Sequence, residues 1–189
     1  MKITPLILLS LAISTKSLGQ DSLWKKNEYN KILTLNLPIN SEYIKSSFVK
    51  VYGGNVNKNL YGFQYLDTIS LPIENETAFQ ISLTAFISAR VSDPKLKKYH
   101  VTVVDTSIGR TKGLMANFQT NDTSEIYKQI YFYVTLANNQ YYSFYAYSQF
   151  MKSNDEEINL FFKSIIFDSE KLKEKQFKLT HVHLEKNAD

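Results

Sequence analysis

IYKQIYFYVTLANNQYYSFYAYSQF, residues 126–150, holds two strongly β-prone runs, Ile126 to Leu136 and Gln140 to Phe150, joined by Ala137-Asn138-Asn139. Aromatic and β-branched side chains suit a pleated strand, and asparagine tolerates the positive φ of a tight hairpin turn. The stretch therefore reads as an antiparallel hairpin. With Asn138-Asn139 as a two-residue loop, one face carries Ile130, Phe132, Val134, Leu136, Tyr141, Ser143, Tyr145 and Tyr147. The other carries Tyr131, Tyr133, Thr135, Tyr142, Phe144 and Ala146. A loop of another length would exchange which residues share a face. Neither face is polar, whereas a sheet wetted on one side alternates apolar with polar. Either both faces are covered and the tyrosine hydroxyls reach the rim, or one tyrosine-rich face is open and takes a partner or an apolar ligand. On the second reading the binding residues are Tyr131, Tyr133, Tyr142, Tyr145 and Tyr147.

Working toward the C-terminus, Ser153-Asn-Asp-Glu156 is a capping-box pattern, in which the serine caps the first turn and the glutamate reaches back. Ile158, Phe161, Phe162 and Ile165 follow at the spacing of one helix face. Asp155, Glu156 and Glu157 sit where a helix dipole favours negative charge. Residues 169–189 form a charged tail with a short strand expected between Phe177 and Leu184. Working toward the N-terminus, Leu114 to Gln119 and His100 to Thr106 read as strands, with a turn over Gly109 to Gly113 and a short helix or loop over Lys95 to Tyr99. Phe79 to Val91 is rich in β-branched and aromatic residues, and Ile81, Leu83, Ala85 and Ile87 share a face with period two. It is assigned as a strand ended by Pro94. A strand over Leu60 to Leu71, a turn at Gly53-Gly54-Asn55, a strand over Phe48 to Tyr52 and one helical turn within Ser41 to Ser47 precede it. Leu33, Leu35 and Leu37 alternate with Thr34 and Asn36 before Pro38, a half-buried strand. Residues 20–30 are polar around Trp24 and read as a lead-in segment.

The first 19 residues have the layout of a cleavable export signal. Met1-Lys2 is basic, Ile3 to Ile13 is apolar, and Ser17-Leu18-Gly19 places small residues before a cut at Gln20. The apolar run is shorter than the ~20 residues a membrane-spanning helix needs. A periplasmic or secreted protein without a stable membrane anchor is the expectation. There is no cysteine, so no disulfide framework and no acylated cysteine enter the reading. The formal charge is +4, from 22 basic and 18 acidic residues, and only Arg90 and Arg110 are arginines. The lysines are scattered among acids rather than gathered in a stripe, which argues against nucleic acid as a partner.

The opening strand ending in Leu37-Pro38, the 126–150 hairpin and the helix ending FFKSIIF at residues 161–167 together resemble the PsbP-like and DcrB-like α/β/α sandwich domains. The likeness covers residues 28–168 in layout. It implies an antiparallel sheet flanked by helices in an accessory or chaperone-like exported protein, and it carries no functional residue across. The fold class expected is α+β, an antiparallel β-sheet flanked by a few helices, as a single globular domain over residues 31–168.

Candidate chemistry is sparse. No G-x-S-x-G elbow surrounds any serine. A hydrolase or other enzyme would have to recruit His100, His181 or His183, and a convergent polar cluster around His100 would be its mark. On a strand, His181, His183 and Glu185 would point to one side and present two imidazoles and a carboxylate, a possible zinc set. The alternative is a charged tail in which the histidines are incidental. Gly109-Arg-Thr-Lys-Gly113 lacks phosphate-loop spacing and reads as a basic β-turn. Asn75-Glu76-Thr77 and Asn121-Asp122-Thr123 are glycosylation sequons. No cofactor is implied. The function expected is a non-enzymatic exported accessory or binding protein that contacts a protein partner or an apolar ligand. Neutralisation of a toxin is the main alternative, and an enzyme with an unrecognised site the lesser one.

Overall fold

The structure is a computed structural model, which describes residues 23–45, 49–66, 73, 75–150, 155–172 and 182–188. Among the described residues eleven strands form two antiparallel sheets accompanied by two α-helices, an α+β architecture. In chain order they are β1 (Trp24–Tyr29), β2 (Leu33–Pro38), β3 (Glu42–Lys45), β4 (Val49–Val56), β5 (Asn59–Leu66), α1 (Glu76–Val91), β6 (His100–Ile108), β7 (Thr111–Gln119), β8 (Gln129–Ala137), β9 (Gln140–Ser148), α2 (Asp155–Lys163), β10 (Ile166–Phe167) and β11 (His183–Lys186). The larger sheet runs β11-β6-β7-β8-β9-β5-β4-β3, and the smaller runs β1-β2-β10.

Tight turns with positive φ join the hairpins. Asn57-Lys58, Gly109-Arg110 and Asn138-Asn139 are two-residue connections in which both residues are left-handed. That is the type I′ geometry whose twist matches the flanking strands. Asn30-Lys31 repeats the conformation between β1 and β2. Because Asn138-Asn139 is the loop, Leu136 lies opposite Tyr141 and Phe132 opposite Tyr145. The two faces of the hairpin are thereby sorted as the two-residue loop predicts.

Both faces are covered. Ile130, Phe132, Val134 and Leu136 join Leu114, Ala116, Phe118, Val101 and Val103 beneath Phe79, Leu83 and Ile87 of α1. On the reverse, Tyr133, Tyr142 and Phe144 join Tyr61 and Phe63 against Leu33, Leu35 and Leu37 of the small sheet, Ile158, Phe161 and Phe162 of α2, and Ile165 just beyond it. An aromatic ladder crosses five strands on this reverse face: Tyr43 stands opposite Tyr52, Tyr52 opposite Phe63, Phe63 opposite Phe144, and Phe144 opposite Tyr133. Neighbouring rings are stacked 4.6 to 6.1 Å apart. Such cross-strand pairs add to burial in holding a sheet's register.

Five expectations are corrected. Phe79 to Val91 is helix, not strand: Asn75 caps it by accepting from the Ala78 amide at 2.8 Å, and the buried stripe is Phe79, Leu83 and Ile87 at four-residue spacing. Ile81, assigned to the inner face of a strand, is 62% exposed. Gly53 and Gly54 lie inside β4, and the chain turns at Asn57-Lys58 instead. Residues 42–45 form the edge strand β3 rather than a helical turn. The lead-in contains β1, whose Trp24 packs edge-on against Tyr61 at 4.9 Å. Glu157, read as a capping charge, is buried at 2% exposure. The export signal, Ser153, residues 67–71 of the third strand and His181 lie outside the described residues.

Candidate functional site

The five tyrosines proposed from the sequence do not form one surface. Tyr133 and Tyr142 are fully buried on the reverse face. Each satisfies its hydroxyl internally, Tyr133 donating to the Thr111 carbonyl at 2.8 Å and Tyr142 to Gln140 Oε1 at 2.9 Å. Burial pushes the Tyr133 phenol up to about 12, because an apolar surrounding disfavours the charged form. Tyr131 is half-buried on the same face, in a hollow of about 680 Å³ shared with Ile108, Met115, Ile158, Phe162 and Lys163. Tyr145 and Tyr147 are half-buried on the α1 face.

Tyr145 and Tyr147 line a cleft of about 620 Å³ where α1 stops short of the sheet's β9-β5 region. Its floor is Leu60, Gln64, Phe132, Tyr145 and Tyr147, and its wall is Phe86, Ala89, Arg90, Ser92, Asp93 and Pro94. The floor is low because of glycine. Gly62 is opposite Tyr145 in β9 and Gly53 is opposite Gly62 in β4. A Cβ on Gly62 would come within 2.5 Å of the Tyr145 hydroxyl oxygen and press on the Tyr52 carbonyl, and one on Gly53 would come within 3.1 Å of the same hydroxyl. The two bare Cα positions let the Tyr145 ring lie along the sheet, its hydroxyl donating to the Tyr52 carbonyl at 3.4 Å. Burial, with the neighbouring Tyr147, pushes the Tyr145 phenol up to about 12.

Arg90 is the cationic group of the cleft. It comes from the last turn of α1, and Pro94 beyond it ends the helix. Its Nη2 donates to the Tyr147 hydroxyl at 2.6 Å, its guanidinium lies 5.4 Å from the Phe132 ring centroid, and its Nη1 stands 3.5 Å from Asp93 Oδ2. Stacking on one aromatic ring and bonding to another holds the guanidinium in one place. Sequence reasoning passed over Arg90, Phe86 and Gly62. Arg90 did carry a signal, as one of two arginines in a lysine-rich chain.

Of the metal and enzyme candidates, His181 lies outside the described residues. His183 and Glu185 lie on β11 at the sheet edge, both exposed, and Glu185 pairs with His100 Nε2 at 3.2 Å. No group of three or more histidine, aspartate or glutamate side chains with metal-binding geometry occurs among the described residues. Gly109-Arg110 is a β-turn with Arg110 exposed. A second buried polar group stands apart from the cleft: Glu157 Oε2 accepts from Asn57 Nδ2 at 3.2 Å, and Asn59 Nδ2 donates to the Tyr61 hydroxyl at 3.2 Å. Among the described residues Glu157 Oε1 and Asn59 Oδ1 have no hydrogen-bond partner. Burial first, and then the Glu157 charge, push the Tyr61 phenol far above its usual range.

No protein-family model matches the chain, and no curated protein sequence matches it. Among the described residues no helix is long and apolar enough to cross a membrane.

Proposed function

We propose that the chain is a non-enzymatic binding protein, exported by the leader read in residues 1–19, whose site is the cleft between the C-terminal half of α1 and strands β9 and β5. The occupant is an apolar or aromatic side chain supplied by a protein partner. The observation that carries this reading is the Gly53–Gly62 pair. Without their side chains Tyr145 lies flat, and a depression floored by Leu60, Phe132 and Tyr147 is left beside the helix. Concave apolar surface with a few fixed polar groups is the general form of a ligand site. A buried aromatic anchor seated in such a pocket is the general form of an interface hot spot. The finer architectural reading, a PsbP-like α/β/α sandwich of accessory type, belongs with this proposal. An antiparallel sheet covered on both faces supports it.

The test is affinity capture from the native host's envelope and medium with wild type and Ala89→Trp, both shown folded by circular dichroism. Ala89 is exposed on the cleft wall, so an indole there fills the cleft from its solvent side. A partner held by wild type and lost by Ala89→Trp is the expected result. Equal retention by both would place the site elsewhere.

A further inference from the structure

On the binding reading above, we infer that the group entering the cleft is an aromatic or apolar side chain accompanied by a carboxylate, in an acidic–aromatic segment of the partner. Arg90 carries five N–H donors in a planar fork. Its contacts among the described residues use one donor on Tyr147 and one, at 3.5 Å, on Asp93. The Asp93 contact is long for a charge-assisted bond, which is usually 2.7 to 2.9 Å. Both partners of that pair are about one-third exposed, so water competes with it. The guanidinium therefore has spare donors on the cleft wall. It is also preorganised, since Phe132 beneath it and Tyr147 beside it fix its plane before any ligand arrives.

Charge complementarity selects the occupant. The floor offers apolar and aromatic surface, and among the described residues the cation lining it is an arginine, whose fork matches a carboxylate in two-point contact. An incoming carboxylate would take the side of the fork that Asp93 now holds loosely, while the adjoining ring lies on Tyr145 and Leu60. A neutral apolar group would fill the floor and leave those donors unused.

Two fluorescent probes separate the parts of the claim: anilinonaphthalene sulfonate, an aromatic anion, and phenylnaphthylamine, the same rings without the charge. Each is titrated into wild type, Arg90→Gln, Arg90→Lys and Ala89→Trp, with thermal melts confirming that each variant is folded. The expected result is that wild type binds both, that Ala89→Trp loses both, and that Arg90→Gln weakens the anion alone by about tenfold, the scale of one charge-assisted contact. Arg90→Lys keeps the charge and loses the fork, so it recovers only part of the anion's affinity. Both probes bound by wild type and equally indifferent to Arg90→Gln would overturn the carboxylate inference while leaving the cleft intact. If neither probe binds wild type, or both survive Ala89→Trp, the cleft reading itself fails.

Discussion

A single methyl group on Gly62 tests the cleft floor. The added Cβ would meet the Tyr52 carbonyl and come within 2.6 Å of Tyr145 Cζ, contacts that no side-chain rotation relieves on the backbone side. Gly62→Ala is therefore expected to destabilise the protein by about 1–3 kcal/mol, the usual cost of overpacking, and to lift Tyr145 into the cleft. Urea unfolding reads the first effect and probe binding the second. A neutral substitution would mean that the ring does not lie where the structure puts it. Glu157 gives the opposite kind of prediction. It is buried, and among the described residues one oxygen has no hydrogen-bond partner and no cation pairs with it; a buried carboxyl with half its acceptors unused costs more than an amide of the same shape. Glu157→Gln keeps an acceptor for Asn57 and removes the charge. Stability at neutral pH should be unchanged or higher by about 1 kcal/mol. A loss above about 2 kcal/mol would show that the carboxylate is compensated in the folded state. Neither residue was legible in the sequence. Gly62 looks like any glycine in a strand until Tyr145 is known to be its cross-strand neighbour, and Glu157 looks like a helix-start charge until Asn57 is known to face it.

At the scale of elements, the hairpin of β8 and β9 was readable down to its faces, because Asn138-Asn139 names its own turn and alternation does the rest. The same chemistry at Asn57-Lys58 went unread, since the glycines of β4 offered a louder turn signal. Lysine gains nothing from positive φ, and Lys58 stands at 67°. Lys58→Gly should raise stability by about 1 kcal/mol by relieving that conformation, as equilibrium denaturation will show; destabilisation would argue against the turn. Helix α1 was misread because its composition is strand-like and its apolar moment is weak, with Ile81 facing outward. The start signal lay in Asn75, noticed only as a glycosylation site. Asn75→Ala should remove the cap and cost about 1 kcal/mol, visible as a lower melting midpoint. An unchanged midpoint would mean that tertiary packing alone sets the end of the helix.

At the scale of the whole molecule, the larger sheet has a different core on each side, and tyrosine serves both. Tyr99 and Tyr133 send their hydroxyls to main-chain carbonyls, and Tyr65 sends its own to Asn30. Tyr29, Tyr52, Tyr99, Tyr133 and Tyr145 are all pushed up to about 12, first by burial. A phenol whose folded pKa lies above its unfolded value of about 10 holds its proton more tightly in the folded state. Its contribution is therefore complete below pH ~10 and is lost as pH climbs toward ~12. The part of the tyrosinate absorbance that belongs to these five rings should lag the free amino acid and then rise together with loss of the circular dichroism signal. A rise near pH ~10 that accounts for all thirteen tyrosines with the fold intact would contradict the sheltered placement of these five rings. Composition announced the aromatic density, but covered and open faces have the same sequence. Only the positions of α1 and the small sheet distinguish them, and those depend on contacts between residues far apart in the chain.

The cleft beside α1, rather than the Tyr131 hollow on the opposite face, is the claim on which the functional reading turns. Photo-crosslinking tests it most directly, with benzoylphenylalanine placed at Ala89 in one protein and at Tyr131 in another, each irradiated in the host's envelope extract. The account predicts a discrete adduct from position 89, diminished when Arg90 is replaced by glutamine, and none from position 131. An adduct from position 131 alone would put the binding surface on the face now assigned to the core and to α2.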